Sequence, residues 1–360
     1  MQKPKIHVVG CGQVGTIMCN YFLARQFPLT IYDTNNNFAQ IPWGWMRRVT
    51  LQQKERLRFP LQPLSLPEMY IRRGPMIIST QEKQRVDKWK QWLSLNHKWT
   101  NARMLKPNEA LDWDIPQKYN LLCDQNDYLF DFNQYKNDSI AILKVQTQWI
   151  SESPMQRLCW NDDWVEGILL QNGRFVRVAK NEKILLCIGN QTNRFFSFPI
   201  GGVTLQYTTV AKKQIPEKPY IAHWTDSTSI QYFHDYVKIG CGMNGKISTL
   251  PPVSFWLKFF PLLGKQNYSW KNSITQVRQH WDLNDAFQSC EVDITPDFLP
   301  IIEPIGKNLT IVCGLSGSGF TVYEPWFQEH VRYVLFHDTT VNPFTARRKF
   351  SASSFLYYIS

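Results

Sequence analysis

The stretch KIHVVGCGQVGTIMCNYFLARQFPLTIYD, residues 5–33, contains the pattern that decides the fold. Its first run, IHVV at 6–9, is short, apolar and rich in β-branched residues, which is typical of a strand buried on both faces. Apolar side chains then recur at helical intervals, and LTIY at 29–32 predicts a second strand. Between the first strand and the helix lie three glycines with the spacing G-x-G-x-x-G: Gly10, Gly12 and Gly15. The order strand, glycine turn, helix, strand predicts a Rossmann-type dinucleotide site.

Each glycine has a physical task in such a site. Gly10 permits the tight turn, Gly12 lets a pyrophosphate approach the backbone, and Gly15 lets the helix pack close to the strand. Gln13 and Val14 open the helix, where free N–H groups and the positive end of the helix dipole face the phosphates. We therefore expect these five residues to contact the dinucleotide.

Asp33 ends the second strand, 18 residues after Gly15. An acid at this place bonds a ribose hydroxyl, and its charge would repel a 2′-phosphate. The fingerprint does not by itself choose between NAD and FAD. The structural alternative is a glycine turn in some other βαβ unit.

The chain is basic, with 40 lysines and arginines against 29 acids and a formal net charge of +11. One interpretation is a basic solvated surface; the other is an anionic partner, such as a phosphorylated cofactor, nucleic acid or an acidic protein. Part of the charge is clustered, and the clustered residues are Arg47, Arg48, Lys54, Arg56 and Arg58, and Arg347, Arg348 and Lys349.

The eight cysteines are scattered without a C-x-x-C pair, and several lie in apolar, strand-like runs. This is typical of reduced cysteines in a cytosolic protein and indicates neither a zinc nor a disulfide framework. No apolar signal segment precedes the first strand, and no run of 18 apolar residues occurs. We expect a cytoplasmic protein without stable membrane insertion.

A second glycine-rich segment, CEVDITPDFLPIIEPIGKNLTIVCGLSGSGFTVYEPW at 290–326, distinguishes between the nucleotides. It contains a T-P-D-x-x-P-I motif at 295–301, then a strand and a turn of S-G-x-G-F type at 316–320. The segment resembles the C-terminal signature of the FAD-dependent amine and amino-acid oxidoreductase family, with its D-amino-acid-oxidase-like fold and its sarcosine oxidase and glycine oxidase members. Two glycine turns far apart in the chain are more specific than one, and the resemblance implies FAD.

Other segments extend the resemblance over most of the chain. The strand end at 187–189 resembles the family's A-T-G-like strand end, and IGGVTL at 200–205 resembles its crossing into the substrate domain. The loop at 44–48 resembles the one that places an arginine over the flavin in sarcosine oxidases. Cys290 matches the cysteine that monomeric sarcosine oxidases bond covalently to the flavin; an ordinary small core residue is the alternative.

The resemblance implies a flavin contact for the second glycine turn. Its N–H groups and helix dipole face the polar edge of the ring, which turns anionic when the ring is reduced. Besides the first turn and Asp33, the expected cofactor-binding residues are Arg47, Gly189, Cys290, Gly314, Ser316, Gly317, Ser318, Gly319, Phe320 and Thr321.

The predicted fold class combines α/β and α+β structure: a Rossmann-like FAD-binding domain with an inserted antiparallel-sheet substrate domain. The insertion is indicated by β-rich segments with extended loops after residue 199, followed by a return to a buried strand and a glycine turn near 308–320. The expected limits are 1–80, 130–198 and 285–345 for the FAD-binding domain, 81–129 and 199–284 for the substrate or cap domain, and 346–360 for a tail.

Several positions depart from the family's pattern for holding a substrate carboxylate. Val292 stands where glycine-oxidase-like members have an arginine, Thr321 where sarcosine oxidases have a lysine, and Thr50 where they have a second arginine. The lysine those enzymes use with oxygen falls on Asn244, with Lys246 as the nearest replacement. Since a buried carboxylate needs a charged partner, we expect that the substrate is not a simple free amino acid.

The leading functional hypothesis is an enzyme, an FAD-dependent oxidoreductase that oxidises the C–N bond of a small amine by hydride transfer. Its candidate catalytic residues are Arg47, Arg48 and Lys246. One alternative is a flavoprotein that oxidises a macromolecule, either a precursor protein during maturation or a tRNA base. Another alternative is a degenerate protein that binds flavin without catalysis. If the cofactor is NAD instead of FAD, the alternative is an NAD-dependent dehydrogenase.

Overall fold

The structure is a computed structural model of the 360-residue chain. It describes residues 3–34, 67–96, 102–106, 108–109, 118–151, 153–214, 218–225, 228–240, 246–249, 275, 287–295, 299–315, 325–337 and 342–347. The helices, in chain order, are α1 (Gln13–Ala24), α2 (Lys83–Asn96), α3 (Phe132–Gln146) and α4 (Pro325–Phe336).

The described strands form three sheets of six, nine and three strands. In chain order the strands are β1 (Ile6–Val9), β2 (Leu29–Tyr32), β3 (Ile71–Thr80), β4 (Ala102–Met104), β5 (Asn120–Phe130), β6 (Gln148–Ile150), β7 (Met155–Asn161), β8 (Trp164–Leu170), β9 (Phe175–Arg177), β10 (Lys183–Leu186), β11 (Gly201–Ala211), β12 (Ala222–Trp224), β13 (Ser229–Tyr232), β14 (Tyr236–Gly240), β15 (Lys246–Thr249), β16 (Gln288–Ile294), β17 (Ile301–Ile305) and β18 (Leu309–Cys313).

The six-stranded sheet, which we call the nucleotide sheet, has the order β17-β18-β10-β1-β2-β6. All its pairs are parallel except that between β17 and β18 at the edge. Its inner strands β1, β2 and β18 are buried along their whole length, as their apolar sequences predict. Because the inner strands run in the same direction, their carboxyl ends meet at one edge of the sheet.

Helices cover one face of the nucleotide sheet and a small meander covers the other. Side chains of α1, α3 and α4 share a core with Ile6, Val8 and Leu185. On the opposite face, β7–β8–β9 packs through Val165 and Ile168 onto Ile184. The sheet is therefore the middle layer of three, which is the Rossmann-like arrangement that the sequence predicts.

The nine-stranded sheet, which we call the large sheet, has the order β15-β11-β14-β13-β12-β3-β5-β4, with β16 also paired to β11. All pairs are antiparallel except that of β12 with β3. The predicted fold class, a Rossmann-like domain with an antiparallel-sheet partner, is confirmed. Two strands of this sheet, β3 and β16, lie outside the limits expected for the substrate domain, and the domain limits themselves stay a prediction.

Among the described helices, none is long and apolar enough to cross a bilayer. The cytoplasmic location expected from the sequence stays a prediction.

The contact between α1 and the nucleotide sheet generates a stability prediction. A methyl group on Gly15 would lie 1.9 Å from the Gly10 carbonyl oxygen, so Gly15→Ala must displace backbone atoms. We expect this substitution to lower the free energy of unfolding by about 2–3 kcal/mol, measured by chemical denaturation of the apoprotein. Gly12→Ala is the control, because a methyl group there meets no described atom within 4 Å. Equal losses of unfolding free energy in Gly15→Ala and Gly12→Ala would contradict the conclusion that α1 packs too closely for a side chain at Gly15.

Candidate dinucleotide site

Three glycines follow three neighbouring strands of the nucleotide sheet. Gly10 comes directly after β1, Gly314 directly after β18, and Gly189 three residues after β10 ends. All three have left-handed backbones, with φ of +89°, +70° and +56° respectively. Side chains are disfavoured in this conformation, so only backbone lines the edge at these points. In open α/β sheets, ligands bind at this carboxyl edge.

The first turn brings α1 against the sheet without side chains in between. Gly10 donates its N–H to Tyr32 at 2.8 Å, and a methyl group on it would lie 2.6 Å from the Cys187 carbonyl oxygen. Gly12 is the N-cap of α1 and has no side chain that could satisfy the N–H groups of the first turn. The start of α1 can therefore offer these groups to an anion.

Asp33 lies beside this turn, at the carboxyl end of β2. Its N–H donates to the Ile150 carbonyl oxygen at 3.0 Å, which fixes the backbone. The residue is half-buried, and nothing in the described part of the chain donates to its buried Oδ2 atom. Burial raises the pKa of this carboxyl group, while Lys136 and the N–H groups of Cys11 and Thr34 lower it. An acid with an open acceptor fits a ribose hydroxyl.

Two independent observations indicate that this edge of the nucleotide sheet fits a dinucleotide. The Gly10 and Gly12 turn presents backbone alone where a pyrophosphate must approach, and Gly12 faces space clear of described atoms. The buried Oδ2 of Asp33 leaves an acceptor for a hydroxyl group. The two features would bind neighbouring parts of an adenosine diphosphate moiety, its diphosphate and its ribose.

Asp293 joins the other two glycine turns, and the sequence analysis missed it. Its carboxylate accepts the N–H of Gly314, and Oδ2 lies 3.8 Å from where a methyl group on Gly189 would be. Burial raises the pKa of Asp293, and the Gly314 N–H lowers it. The available signal was an acid two residues before Thr295 of the T-P-D motif. Asp293 links the large sheet, through β16, to the site edge.

Lys238 on β14 is a second missed residue. It is 2% exposed, and its Nζ lies 4.8 Å from the Tyr207 ring centroid and 5.9 Å from that of Phe233. Burial lowers its pKa to about 8, with smaller raising effects from Cys290 and Asp131. The signal was a lysine inside an otherwise apolar strand, YVKIG. A deeply buried amine of this kind is a functional candidate.

Cys290 lies on the same face of the large sheet as Lys238. It is 2% exposed and packs with Leu205 and Tyr207. It lies three residues before Asp293 on β16, so the strand leads from this cluster to the glycine turns. We call Cys290, Tyr207 and Lys238 the β16 face cluster.

His223 belongs to the other face of the large sheet. It lies beside Ile77 in register, and its Nε2 is 2.8 Å from the Ser79 hydroxyl. Burial lowers the pKa of His223 to about 4, so the ring is neutral at physiological pH. It is a structural partner of Ser79, away from the β16 face cluster.

The structure brings together a substantial part of the predicted site. Lys246 begins β15, but its side chain lies outside the described residues, and its catalytic role stays a prediction. Arg47, Arg48 and the turn 316–321 also lie outside the described residues, as do the other members of the first basic cluster. The predicted residues that lie at the carboxyl edge are Gly10, Gly12, Gln13, Val14, Gly15, Asp33, Gly189 and Gly314.

Compared by sequence, the chain matches no protein-family model and no curated protein. Compared by structure, it is similar to L-amino acid deaminase from Proteus vulgaris at 13% identity and a TM-score of 0.66, over 97% of this chain and 98% of that one. It is also similar to fructosyl peptide oxidase from E. terrenum, at 13% identity and a TM-score of 0.68, over 98% and 94% of the two chains.

A third similar structure is L-proline dehydrogenase from P. horikoshii, at 13% identity and a TM-score of 0.66, over 96% of this chain and 97% of that one. At these identities the likeness shows the fold. The D-amino-acid-oxidase-like fold implied by the two glycine motifs is therefore confirmed along nearly the whole chain.

The depressed pKa of His223 predicts a loss of stability in acid. The unfolded histidine protonates near pH 6.5 and the folded one near pH 4, so its contribution is complete above pH 6.5 and declines as the pH falls. At pH 5 we expect this group to cost about 1–2 kcal/mol of unfolding free energy. Denaturation of wild type and His223→Gln at pH 7 and pH 5 measures the difference. His234→Gln, which removes an exposed histidine, is the control. If the unfolding free energy of His223→Gln falls as much between pH 7 and pH 5 as that of wild type, protonation of His223 is not the cause of the loss.

Proposed function

We propose that the protein is an FAD-dependent oxidoreductase that oxidises a carbon–nitrogen bond in an amine or amino-acid derivative. The observation that carries the proposal is the set of three left-handed glycine turns at the ends of β1, β10 and β18, next to the open acceptor of Asp33. This set lies on a fold shared with three proteins whose names describe a deaminase, an oxidase and a dehydrogenase. Amino acids, fructosyl peptides and proline all contain a carbon bonded to nitrogen.

The first turn would hold the nucleotide half of FAD. The N–H groups at the start of α1 bind the pyrophosphate, and Gly12 keeps the approach free of side chains. Asp33 accepts a hydrogen bond from a ribose hydroxyl through Oδ2. The glycines after β10 and β18 would line the remainder of the cofactor, with Asp293 fixing the Gly314 turn.

FAD, when bound, supplies a two-electron acceptor for the C–H bond next to nitrogen. The chain's own contribution is to position the substrate and control charge around it. The β16 face cluster provides a buried surface with one aromatic ring, that of Tyr207, and one buried amine, that of Lys238. With a pKa of about 8, Lys238 is mostly a cation at neutral pH and would stabilise negative charge in the site.

The proposed substrate is not a simple free amino acid. Val292 stands where glycine-oxidase-like relatives would have a carboxylate-binding arginine, and it packs against the apolar cluster around Leu205 and Tyr207. An apolar side chain cannot pair with a carboxylate. A substrate with a carboxylate would then need Arg47 or Arg48 as the charged partner. An amine without a carboxylate would need neither arginine.

Covalent attachment of FAD at Cys290 is part of the proposal. The thiol is buried in the β16 face cluster, close to Tyr207, on the strand that leads to Asp293. Acid precipitation separates the two forms, since a covalent flavin stays with the pellet and a loosely held one enters the supernatant. A small core cysteine remains the alternative outcome.

Gly12→Ala should separate cofactor binding from stability. The added methyl group points into space clear of described atoms, but it would meet the approaching pyrophosphate. We expect FAD affinity to fall by about tenfold or more, measured by fluorescence titration of the apoprotein, with little change in unfolding free energy. Unchanged FAD affinity in this variant, or a purified wild-type protein that never binds flavin, would remove the proposal.

Anaerobic bleaching of the flavin tests the reaction itself. A panel of secondary amines, N-substituted amino acids and free amino acids should reduce the wild-type flavin, with the free amino acids slowest. Lys238→Met should slow reduction by about tenfold or more while leaving the FAD content unchanged, because it removes a cation without altering the first turn. Absence of bleaching with every small amine, despite bound FAD, would favour a macromolecular substrate or a non-catalytic flavoprotein.

A further inference from the structure

The carboxyl edge of the nucleotide sheet presents its candidate binding groups in one row. The neighbouring strands β18, β10, β1 and β2 are followed, in this order, by Gly314, Gly189, Gly10 and Asp33. Adjacent strands lie about 5 Å apart, so the row is about 15 Å long. The first glycine turn therefore lies inside the row, with Asp33 on one side of it and the other two turns on the opposite side.

This order assigns the two halves of a dinucleotide to different parts of the chain. The pyrophosphate would lie at the first turn, and a ribose bonded to Asp33 would belong to the adenosine half. The opposite direction along the row leads to Gly189 and Gly314. The group on the second phosphate would therefore extend toward these two turns.

The carboxylate of Asp293 lies at both of these turns. It accepts the N–H of Gly314, and its Oδ2 atom lies 3.8 Å from the place that a methyl group on Gly189 would occupy. Both glycines have left-handed backbones. Because glycine has more backbone freedom than any other residue, the contacts around such turns determine how well they are ordered.

Strand β16, which pairs with β11, fixes Asp293 in place. Asp293 lies opposite Gly202 in this register. The chain reaches β11 directly from the turn that starts at Gly189, and Asn193 stabilises this passage by donating to the Ile200 carbonyl oxygen at 2.8 Å. The turn after β10, strand β11 and strand β16 therefore form one connected unit, which the carboxylate ties to the end of β18.

The turn after β10 also contains a polar group that needs a partner. Thr192 is fully buried, and within the described residues nothing bonds to its hydroxyl oxygen. Buried hydroxyl groups are nearly always paired, because an unpaired one loses its bonds to water without replacement. The unpaired hydroxyl group is a second and independent indication that a ligand binds at this turn.

We propose that Asp293 is a positioning residue for the half of the cofactor beyond the pyrophosphate, while Asp33 and the first turn hold the adenosine half. The inference rests on the proposed function and deepens it, because it assigns to Asp293 the preference of the site for FAD over ADP. ADP consists of the adenosine half and the pyrophosphate alone, so its binding does not depend on Asp293. FAD adds the ribityl chain and the flavin ring, which lie at the turns that Asp293 holds.

The test compares the binding of two ligands to the apoprotein, FAD by flavin fluorescence and ADP by calorimetric titration. Asp293→Ala should weaken FAD binding by about tenfold or more, because it removes the acceptor of the Gly314 N–H. The same variant should bind ADP within about twofold of wild type, because the first turn is unchanged. Asp33→Asn should weaken the binding of both ligands, by about tenfold.

A conservative variant tests whether the bond to Gly314 is the cause. Asp293→Asn keeps an oxygen that can accept this N–H, so it should bind FAD within about threefold of wild type. Glu291→Gln, which removes an exposed acid from the same strand, is the matched control and should bind both ligands as wild type does.

Gly189→Ala reaches the same turns from another strand. It places a side chain on a left-handed residue next to the Asp293 carboxylate, so it should weaken the binding of FAD and leave that of ADP unchanged. This variant replaces Asp293→Ala if the latter fails to fold, as judged by circular dichroism.

Equal weakening of FAD and ADP binding by Asp293→Ala would overturn the inference, since it would mean a general structural role. Equal losses of FAD affinity in Asp293→Asn and Asp293→Ala would also overturn it, because the bond to Gly314 would then not be the cause. If wild type binds no FAD, the proposed function fails. If wild type binds FAD and Asp33→Asn weakens it, while Asp293→Ala and Gly189→Ala bind FAD normally, the inference alone fails.

Discussion

The close approach of α1 to the nucleotide sheet is the contact on which the candidate site depends. A Cβ atom at Gly15 would overlap the Gly10 carbonyl group, and one at Gly10 would overlap that of Cys187. Only because both positions lack side chains can the helix start directly above the ends of β1 and β10. That position directs the N–H groups of its first turn toward the carboxyl edge. The position of Asp33 follows from the same contact, since Gly10 donates to Tyr32, the last residue of β2.

Strand β16 connects the large sheet to this edge. From the β16 face cluster, β16 runs to Asp293, whose carboxylate accepts the N–H of Gly314 at the end of β18. Tyr236 of β14 makes a further connection, because its hydroxyl group donates to the Asp131 carboxylate at 3.0 Å, at the start of α3. Both connections are polar bonds between buried or half-buried groups, which depend on distance and angle. They fix the face of the large sheet that carries Lys238 relative to the nucleotide sheet.

The sequence predicted the parts of the site that are local in the chain. The strand, the glycine turn, the first helix and Asp33 are encoded within 5–33, where spacing alone determines what can pack. Lys238 and Asp293 were missed for a common reason. A lysine inside a strand pattern, or an acid near a strand end, acquires its role only when distant segments enclose it. The β-rich segments indicated the antiparallel character of the large sheet, but neither strand carries a signal for the parallel pairing of β12 with β3.

The strand order of the nucleotide sheet also bears on how the protein is made. Its central pair, β1 and β10, is separated by more than 170 residues, and β18 follows only after a further hundred or more. During synthesis, the apolar strands β1 and β2 therefore emerge long before the strand that completes their sheet, and contacts of such long sequence separation form slowly. Strand β11 is likewise synthesised long before its partner strand β16. The nascent polypeptide therefore has unpaired strand edges until the later strands are synthesised, and unpaired edges favour aggregation.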